Sequence, residues 1–438
     1  MAYPYRHDSE VRLLSEHFGN PRARTLEGWL ELGGYQALKK TLGMDRAAVV
    51  DVVKASGLRG RGGAGFPTGM KWSFMPRKEP GKPHFLVCNA DESEPGTFKD
   101  RELMRWTPHA LIEGCLVGAY AINAEHAYIY IRGEFFEAAQ IMARAIEEAY
   151  AAGYIGKNIL GSGIDLDVTL HVGAGAYICG EETGLLNSLE GRRGEPRVKP
   201  PYPAIAGAFR FPTAVNNVES LIAAAQVVQN GAEWYRQWGT EKSVGTKLFC
   251  VSGHVKRPGN YEVPLGFNFK EFIYDICGGP AEGRTIKAVI PGGSSVPILM
   301  PDQLDIPASF DDVQNFYRLF RAPGVGHCAG GAGPPCWNNE SSALSPKPSS
   351  ESPSEASWTA VDVAASHRTA RATSGLPGYA TITSTAAIGT MKTASAGGRA
   401  SRRAAARQDP AARRSTTAAA ARRNTSTLHI TQRTSRRV

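Results

Sequence analysis

Helical and strand-like patterns alternate along the first 240 residues of this 438-residue chain. Apolar residues recur at helical spacing in three segments, 45–56, 108–122 and 135–153. Short β-branched and aromatic runs, typical of buried strands, lie at 84–90, 126–133 and 164–173. Strands that alternate with helices favour parallel pairing, because each helix carries the chain back across the sheet. We therefore expect an α/β domain with a largely parallel sheet over residues 1–240.

The pattern changes over residues 241–312. Two strand-like runs flank a Pro-Gly turn at 257–260, and a short helical segment that ends in a glycine pair precedes a third strand-like run at 286–290. The order strand, turn, strand, helix, strand within so short a stretch predicts a small β-grasp-like module.

Beyond residue 312 the patterns of a folded chain fade. Residues 339–438 contain nine Leu, Ile and Val residues together, no Phe, and long runs of Ala, Arg, Ser and Thr. This content is well below the ~20% of strongly apolar residues under which disorder is the expected state. We expect 313–438 to be a disordered, low-complexity basic tail.

The net charge of +9 belongs to that tail. From residue 339 onward there are thirteen arginines and two lysines against five acidic residues, so the remainder of the chain is close to neutral. The folded part therefore offers no overall positive charge for nucleic acid, and we expect none to bind there.

The cysteines and the apolar segments indicate the cellular compartment and whether the chain crosses a membrane. Seven scattered cysteines with no C-x-x-C pair favour reduced thiols in a cytoplasmic protein. The first residues lack the apolar run of a signal peptide, and the longest mostly apolar stretch, 110–124, is too short to span ~30 Å of hydrocarbon. We expect a protein that is soluble or peripheral to a membrane.

A glycine-rich loop, GLRGRGGAGFPTGMKWSF at 57–74, is the first candidate site. Gly60 to Gly65 satisfies G-x-G-x-x-G, but a helical segment precedes it and Pro67 follows, whereas the dinucleotide fingerprint needs a strand before and a helix after. Its glycines still allow backbone N–H groups to approach a phosphate. Positive charge is expected from Arg61 and Lys71, and stacking faces from Phe66, Trp72 and Phe74. The alternative is a glycine-rich linker with surface charges.

An acidic turn directly follows the predicted strand at 84–90. Asn89, Asp91, Glu92 and Glu94 lie within six positions at its carboxyl end, where open α/β sheets bind ligands. Carboxylates repel phosphate, so hydroxyl or amide groups are the expected ligands. A solvated acidic turn is the alternative.

Two further segments carry polar groups at helix starts. In 172–191 a strand and three glycines precede a helix with Glu181 and Glu182 in its first turn, where the acids either accompany an anion site or complement the helix dipole. Asn216 and Asn217 begin another predicted helix, one as its N-cap and the other free for a ligand. Tyr202, in a proline-rich loop, offers another ring.

Together, these motifs resemble the NADH-binding flavoprotein subunit of respiratory complex I, the proton-translocating NADH:quinone oxidoreductase. The similarity runs from about residue 10 to 312 with all four motifs in order. The diaphorase subunits of NAD-linked hydrogenases and formate dehydrogenases are close relatives. The resemblance implies a Rossmann-like fold modified to hold FMN and NADH together, followed by a β-grasp-like module of the soluble-ligand-binding type.

The resemblance also assigns residues. Those implied for NADH are Gly62, Gly63, Ala64, Gly65, Phe66, Lys71, Phe74 and Tyr202, with the aromatic rings around the adenine. Those implied for FMN are Asn89, Asp91, Glu92, Tyr177, Gly180, Glu181, Asn216 and Asn217. Glu94 and Glu182 are implied to place the nicotinamide against the flavin as catalytic residues. The implied reaction passes hydride from NADH to FMN and electrons onward to iron–sulfur clusters and quinone.

The implied partners are other peripheral-arm subunits, especially a small thioredoxin-like [2Fe–2S] subunit, on the inner face of the plasma membrane.

The chain departs from the family where a [4Fe–4S] cluster is expected. Such a cluster needs four cysteine thiolates, but only Cys328 and Cys336 follow residue 312, so no metal ligands are assigned. Either the reading frame is shifted after about residue 312, or the tail is genuine and electrons have no cluster to reach. Three functions remain: the complex I subunit, a hydrogenase or formate dehydrogenase diaphorase, and a nucleic-acid-binding protein acting through its tail. Peptide mapping beyond residue 312 distinguishes a shifted reading frame from a genuine tail.

Overall fold

A computed structural model of the chain describes residues 6–293, 296 and 298–313, together with the backbone of 361–362. All described residues belong to one compact unit of the chain, Met1–Ala370. The disorder predicted for 313–438, and with it Cys328 and Cys336, falls outside the described residues apart from Val313 and the backbone of 361–362.

A four-stranded parallel sheet forms the centre of the larger part of the fold. Its strands are β1 (Phe85–Ala90), β2 (His126–Ile131), β3 (Asp167–Val172) and β4 (Thr213–Asn217). Their order is β3-β2-β1-β4, so β1 lies between β2 and β4 and all pairings are parallel. In the register, Phe85 is opposite His126 on one side and Thr213 on the other. The predicted α/β class and parallel sheet are confirmed.

Helices cover the sheet and connect its strands. They are α1 (Leu26–Glu31), α2 (Gln36–Leu42), α3 (Arg46–Ala55), α4 (Thr68–Ser73), α5 (Lys99–Trp106), α6 (Pro108–Ala121), α7 (Phe136–Ala151), α8 (Glu182–Leu189), α9 (Pro203–Ala206), α10 (Val218–Asn230), α11 (Ala232–Arg236) and α12 (Phe269–Glu271). A π-helical turn at Phe272–Ile276 continues α12, and short 3-10 turns lie at Pro21–Arg24, Ile159–Gly161, Tyr177–Gly180, Ala208–Arg210 and Pro301–Gln303.

The two faces of the sheet bury different cores, as alternation along a strand requires. On β1, Leu86 and Cys88 point into the main core beneath α6, α7 and α10. Val87 points to the opposite face, where Leu185 and Leu186 of α8 complete a smaller core. Both faces are therefore covered, as is usual for parallel sheets.

A second module follows the sheet. Its antiparallel strands β5 (Thr246–Val251) and β6 (Gly259–Pro264) precede α12, and β7 (Val289–Ile290) pairs in parallel with β8 (Val361–Asp362). Tyr261, Phe269 and Phe272 are buried in a separate core between these elements. The predicted order of strand, turn, strand, helix and strand is confirmed.

A buried carboxylate joins the N-terminal arm to this second module. Glu262 on β6 accepts hydrogen bonds from the backbone N–H groups of Leu14 and Ser15 at 2.9–3.1 Å and from the Ser15 hydroxyl at 2.7 Å. The arm is thus fixed to a strand that lies 248 residues later in sequence.

The strand order reverses between β1 and β4. The chain moves outward from β1 to β2 and β3, then returns to the other side of β1 as β4. At such a reversal the connections leave the sheet in opposite directions and open a crevice at the carboxyl ends of the strands. Asn89 lies near the end of β1 and Asn217 ends β4, so both border that crevice.

Among the described helices, none combines the length and the apolar composition that a bilayer crossing needs.

Candidate functional site

Two adjoining cavities occupy the crevice between β1 and β4. The larger has a volume of about 640 Å³ and the smaller about 160 Å³. Gly60, Gly62, Asn89 and Asn217 line both, so the cavities meet at the carboxyl ends of these two strands. The larger volume lies within the ~300–1,000 Å³ range of small-molecule sites.

Two lysines and two glutamates form a charge cluster in the larger cavity. The Lys71 ammonium donates to Glu182 at 3.2 Å and to the carbonyl of Val215 at 2.9 Å. The Lys199 ammonium donates to Glu181 and Glu182, both at 3.1 Å. Burial alone would raise the pKa of Glu182, but Lys71 and Lys199 lower it to about 2. Glu182 is therefore ionised at neutral pH and paired with both lysines.

Three aromatic side chains line the larger cavity with their rings partly in solvent. Phe66 and Phe74 are 43% and 55% exposed, with ring centroids 6.0 Å apart, and Tyr202 is 60% exposed. Exposed rings on a cavity wall suit a planar aromatic ligand, because stacking removes their faces from water.

Glycines in the 57–74 loop bring the backbone close to the crevice. A methyl group on Gly62 would lie 2.8 Å from Cβ of Asn217, closer than side-chain carbons approach. Gly63 and Gly65 have φ angles of 125° and 63°, which favour glycine. The loop is a tightly packed structure on the cavity wall, which argues against a simple linker.

The acidic turn lines the smaller cavity, and hydrogen bonds to nearby residues of the same segment fix two of its carboxylates. Glu92 accepts hydrogen bonds from the backbone N–H groups of Asp100 and Arg101 at 2.9 and 3.0 Å and so caps the start of α5. Asp91 accepts a hydrogen bond from the Ser93 hydroxyl. Burial raises the pKa of Asp91 to about 6 and that of Glu92 to about 7, the latter with a contribution from nearby Asp100.

Glu94 lies where the sheet and the second module approach each other. Its carboxylate accepts a hydrogen bond from the Tyr177 hydroxyl. A methyl group on Gly293 of the second module would lie 2.6 Å from a carboxylate oxygen of Glu94. The second module therefore contributes to the wall around this carboxylate.

The asparagine amides have defined orientations. Asn89 donates to the carbonyl of Gly180 at 2.8 Å, and Asn216 accepts from the Trp72 indole N–H at 2.9 Å. Asn217 is the N-cap of α10 and accepts from the Ser220 N–H at 3.1 Å, which confirms that one of the pair is the N-cap.

The structure brings the predicted site residues together. The smaller cavity is lined by Gly62, Gly63, Asn89, Asp91, Glu92, Glu94 and Asn217. The larger is lined by Gly62, Ala64, Gly65, Phe66, Lys71, Phe74, Asn89, Gly180, Glu181, Glu182, Tyr202, Asn216 and Asn217. Tyr177 lies outside both linings and contacts the site through Glu94.

Two expectations for individual groups are wrong. The Arg61 guanidinium supplies no accessible charge, because it is buried and donates to the Tyr235 hydroxyl and the Val244 carbonyl at 2.9 and 2.7 Å. Trp72 offers no stacking face, because it is 1% exposed. At the start of α8 the second of the two alternatives holds: the Glu181 carboxylate complements the helix end by accepting from the Thr183 and Gly184 N–H groups.

Sequence reasoning missed Lys199 and a buried ionic cluster beside the smaller cavity. Lys199 lies in the proline-rich loop whose predicted site residue is Tyr202, and nothing local marks it as a partner of Glu182. The cluster comprises Lys99, Asp100, Glu219 and Lys247. The sequence KDR at 99–101 shows two of its members, but only the fold brings Glu219 and Lys247 to them.

Within the part of the chain that the structure describes, no group of three or more histidine, cysteine or acidic side chains is arranged to hold a metal ion. The five described cysteines, including Cys179, are buried free thiols.

Two family models match the chain. Residues 53–226 match the Nuo51 FMN-binding domain, and residues 248–299 match the SLBB domain. The first range contains the glycine loop, the acidic turn and both asparagines, and the second covers most of the small module.

Curated relatives match most of the chain, and each is an F subunit of an NADH-quinone oxidoreductase. The chain is 52% identical over 307 residues to the Mycobacterium bovis protein, covering 69% of each chain. It is 53% identical over 294 residues to one from Rhizobium meliloti, covering 67% of this chain and 70% of the relative. It is 51% identical over 301 residues to the Streptomyces coelicolor protein, covering 69% and 67%.

Solved structures of an NAD⁺-reducing [NiFe]-hydrogenase are also similar. The air-oxidized form matches with a TM-score of 0.57 and 42% identity over 68% of this chain, and the H2-reduced form with 0.58 and 40% over 69%. This chain spans about half, 49%, of the matched chain in each.

Proposed function

The chain belongs to the family of NADH-quinone oxidoreductase F subunits, and from that membership we propose that it binds FMN and NADH side by side in the crevice that the two adjoining cavities form. It accepts electrons from NADH on the flavin. Passing them toward quinone through other subunits needs the family's [4Fe–4S] cluster, for which only two cysteines, Cys328 and Cys336, follow residue 312. The observation that carries the proposal is the junction of the cavities at Gly62, Asn89 and Asn217, which allows two ligands to meet at one point.

The residues present fit a flavin nucleotide and a dinucleotide. The Lys71 and Lys199 ammonium groups lie 3.1–3.2 Å from the carboxylate of Glu182, a geometry that also suits a phosphate. Gly62 packs directly against Asn217, with no space for a Cβ between them, so its backbone lies at the junction of the cavities. The carboxylate of Asp91 is a suitable acceptor for ribityl hydroxyls.

Each group of side chains has a binding or orienting role in this proposal. Phe66, Phe74 and Tyr202 stack with the adenine and hold the dinucleotide in the larger cavity. Asn89 and Asn217 orient the flavin where the cavities meet, and Glu94 and Glu182 place the nicotinamide. FMN, when bound, can accept two electrons from NADH and release them one at a time.

We also propose a neighbouring subunit, a cellular location and domain bounds for this chain. Membership implies other subunits of a complex, and we propose a small thioredoxin-like [2Fe–2S] subunit as the neighbour, at the inner face of the plasma membrane. We propose residues 1–240 as the FMN- and NADH-binding domain and 241–312 as the small module. We propose that residues 313–438 stand in place of the family's iron–sulfur helical domain, either through a shifted reading frame or as a genuine tail.

A diaphorase role in an NAD-linked hydrogenase is the second candidate. The 42% identity to the NAD⁺-reducing hydrogenase supports it. The genes next to that of this chain distinguish the two functions: membrane subunits of a proton pump favour the first, and hydrogenase subunits favour the second.

The test uses the purified full-length chain. We expect FMN to bind with one-to-one stoichiometry and to bleach when NADH is added without oxygen. Phe66→Ala should weaken NADH binding about tenfold, because one stacking contact is worth ~1–3 kcal/mol. Phe136→Ala removes a ring that is 71% exposed and lines neither cavity, so its affinity for NADH should match the wild type. A chain that binds no FMN, or flavin that NADH does not bleach, contradicts the proposal.

A further inference from the structure

We propose that Asp100 is a positioning residue for the flavin: it fixes the carboxamide of Asn217 so that a free N–H of that amide is presented at the junction of the cavities. The inference rests on the proposed function, because it concerns how that same site holds FMN. Asp100 is not among the residues that the sequence motifs assign to a ligand.

Hydrogen bonds at both the nitrogen and the oxygen fix the orientation of the Asn217 amide. Its Nδ2 donates to Oδ2 of Asp100 at 2.7 Å, and its Oδ1 accepts from the N–H and the hydroxyl of Ser220, both at 3.1 Å. An asparagine amide has two N–H groups, and Asp100 uses one. The other remains for a ligand, and Asn217 lines both cavities.

Asp100 is itself held by a buried ionic cluster. Its other oxygen, Oδ1, accepts from the Lys99 ammonium at 2.7 Å, and Lys99 lies 2.8 Å from Glu219. Glu219 in turn accepts from Lys247 of β5 at 2.6 Å and from the Leu248 N–H at 3.0 Å. The carboxylate that orients Asn217 therefore cannot rotate without breaking an ion pair.

Burial makes this arrangement rigid. The side chains of Lys99, Asp100 and Glu219 are 5%, 6% and 0% exposed. Although burial alone would raise the pKa of Glu219, Lys247 and Lys99 lower it to about 2, so it is charged at neutral pH. Breaking one contact of such a cluster leaves a buried charge without its partner, which is strongly unfavourable.

Asp100→Asn creates a conflict that the wild type avoids. The new amide has one oxygen for two donors, Lys99 and Asn217. The charged Lys99 forms the stronger hydrogen bond and takes that oxygen. The new NH2 group then faces Nδ2 of Asn217, donor against donor. Asn217 relieves the clash by rotating its amide, which directs its oxygen away from Ser220 and changes the group offered to the flavin.

The experiment measures FMN affinity in a double-mutant cycle with the full-length chain. FMN fluorescence quenching gives the dissociation constants of the wild type, Asp100→Asn, Asn217→Ala and the double variant, and the visible spectrum of bound flavin is recorded for each. We expect Asp100→Asn to weaken FMN binding about tenfold, the equivalent of one hydrogen bond to a buried group. In the Asn217→Ala background, the same change should have little further effect, because the residue through which Asp100 acts is gone.

Glu113→Gln is the matched control for loss of a buried carboxylate. Glu113 is 5% exposed and accepts from the backbone N–H groups of Tyr35 and Leu38, and it lines neither cavity. It should lower the unfolding temperature and leave FMN affinity unchanged. If Asp100→Asn does not fold, Asp100→Glu replaces it: the charge stays, the acceptor moves by one methylene group, and severalfold weaker binding is expected.

The outcomes separate this inference from the proposed function. Wild-type FMN affinity in the Asp100 variants, or equal losses with and without Asn217, overturns the positioning role while the flavin site stands. A wild-type chain that binds no FMN overturns both.

Discussion

Gly62 lies against Asn217 at the point where the two cavities meet. We expect Gly62→Ala to lower the free energy of unfolding by about 1–3 kcal/mol, because the new methyl would lie 2.8 Å from Cβ of Asn217. FMN affinity should fall as well, since Asn217 must move. Urea unfolding and fluorescence titration measure the two effects.

Gly43→Ala is the control for Gly62→Ala. Gly43 has a negative φ of −91°, and an added methyl would meet only the Lys40 carbonyl at 3.5 Å. Its stability should stay within about 0.5 kcal/mol of the wild type. Equal effects of the two substitutions would contradict the close packing inferred for Gly62.

The buried Asp91 carboxyl lowers the stability of the folded chain as the pH rises. Burial raises its pKa from 3.8 to about 6, so between these values the folded chain binds more protons than the unfolded chain. Stability contributed by this group therefore falls as pH rises through that interval. Asp91→Asn should remove this loss, so that the stability of the variant relative to wild type increases from pH 4 to pH 7.

Urea unfolding of the flavin-free chain at several pH values checks the Asp91 prediction. Asp165→Asn is the comparison, because Lys157 lowers the pKa of that exposed carboxyl and the sign of the effect reverses. A difference between Asp91→Asn and wild type that does not change with pH would contradict it.

Local motifs identify most of the site residues but not their partners. Glycines, acids and amides at strand ends are visible in sequence, and they mark Gly62, Asp91 and Asn217 as candidate ligand groups, all of which line the crevice. Arg61 lies in the same loop, yet its guanidinium points to Tyr235, because the direction of a long side chain depends on tertiary packing. Lys199 escapes sequence reasoning for the converse reason: its contacts with Glu181 and Glu182 depend on how a proline-rich loop folds back.

Helix α8 begins at a glutamate cap that also lines the larger cavity. We expect Glu181→Ala to reduce the free energy of unfolding by about 1 kcal/mol, because the N–H groups of Thr183 and Gly184 lose their acceptor. Chemical unfolding of the full-length chain provides the measurement. Glu195→Ala is the control, since the Glu195 side chain forms an exposed ion pair with Arg193 and its loss should change stability by less than about 0.5 kcal/mol.

Strand β4 is the one strand of the four-stranded sheet that the sequence did not reveal. Its five residues, Thr213–Asn217, mix polar and apolar side chains and follow a proline, so they lack the apolar run that marks β1 and β2. They form a strand because they pair with β1. The pattern predicts the other three strands of the sheet and the helices α3, α6 and α7, but not the crevice between β1 and β4.

The two main parts of the described chain are joined by the ionic cluster around Glu219. Glu219 on α10 holds Lys247 and the Leu248 N–H of β5, so it links the sheet domain to the small module. We expect Glu219→Gln to destabilise the chain by about 3–5 kcal/mol at pH 7, because it leaves the buried Lys247 ammonium without its anionic partner and removes one of the two carboxylates that contact Lys99.

The pH dependence of this effect follows from the lowered pKa of Glu219, about 2 against an ordinary 4.5. Its contribution is complete above about pH 4.5 and declines as the pH falls toward 2. The difference between Glu219→Gln and wild type in urea should therefore shrink in acid. Glu134→Gln, which breaks a half-exposed pair with Arg132, should cost less than about 1 kcal/mol. Equal losses from the two variants would contradict the linking role of Glu219.

The hydrogen bonds from Leu14 and Ser15 to Glu262 have a consequence for the order of events during synthesis. The acceptor is translated 248 residues after Leu14, and at ~5–20 residues per second the ribosome needs roughly 12 to 50 s to reach it. Throughout that interval the arm has left the ribosome without its partner. On stalled nascent chains, the arm should therefore become resistant to protease only once β6 has emerged from the ribosome. The chain length at which resistance appears marks the point at which the small module docks onto the arm.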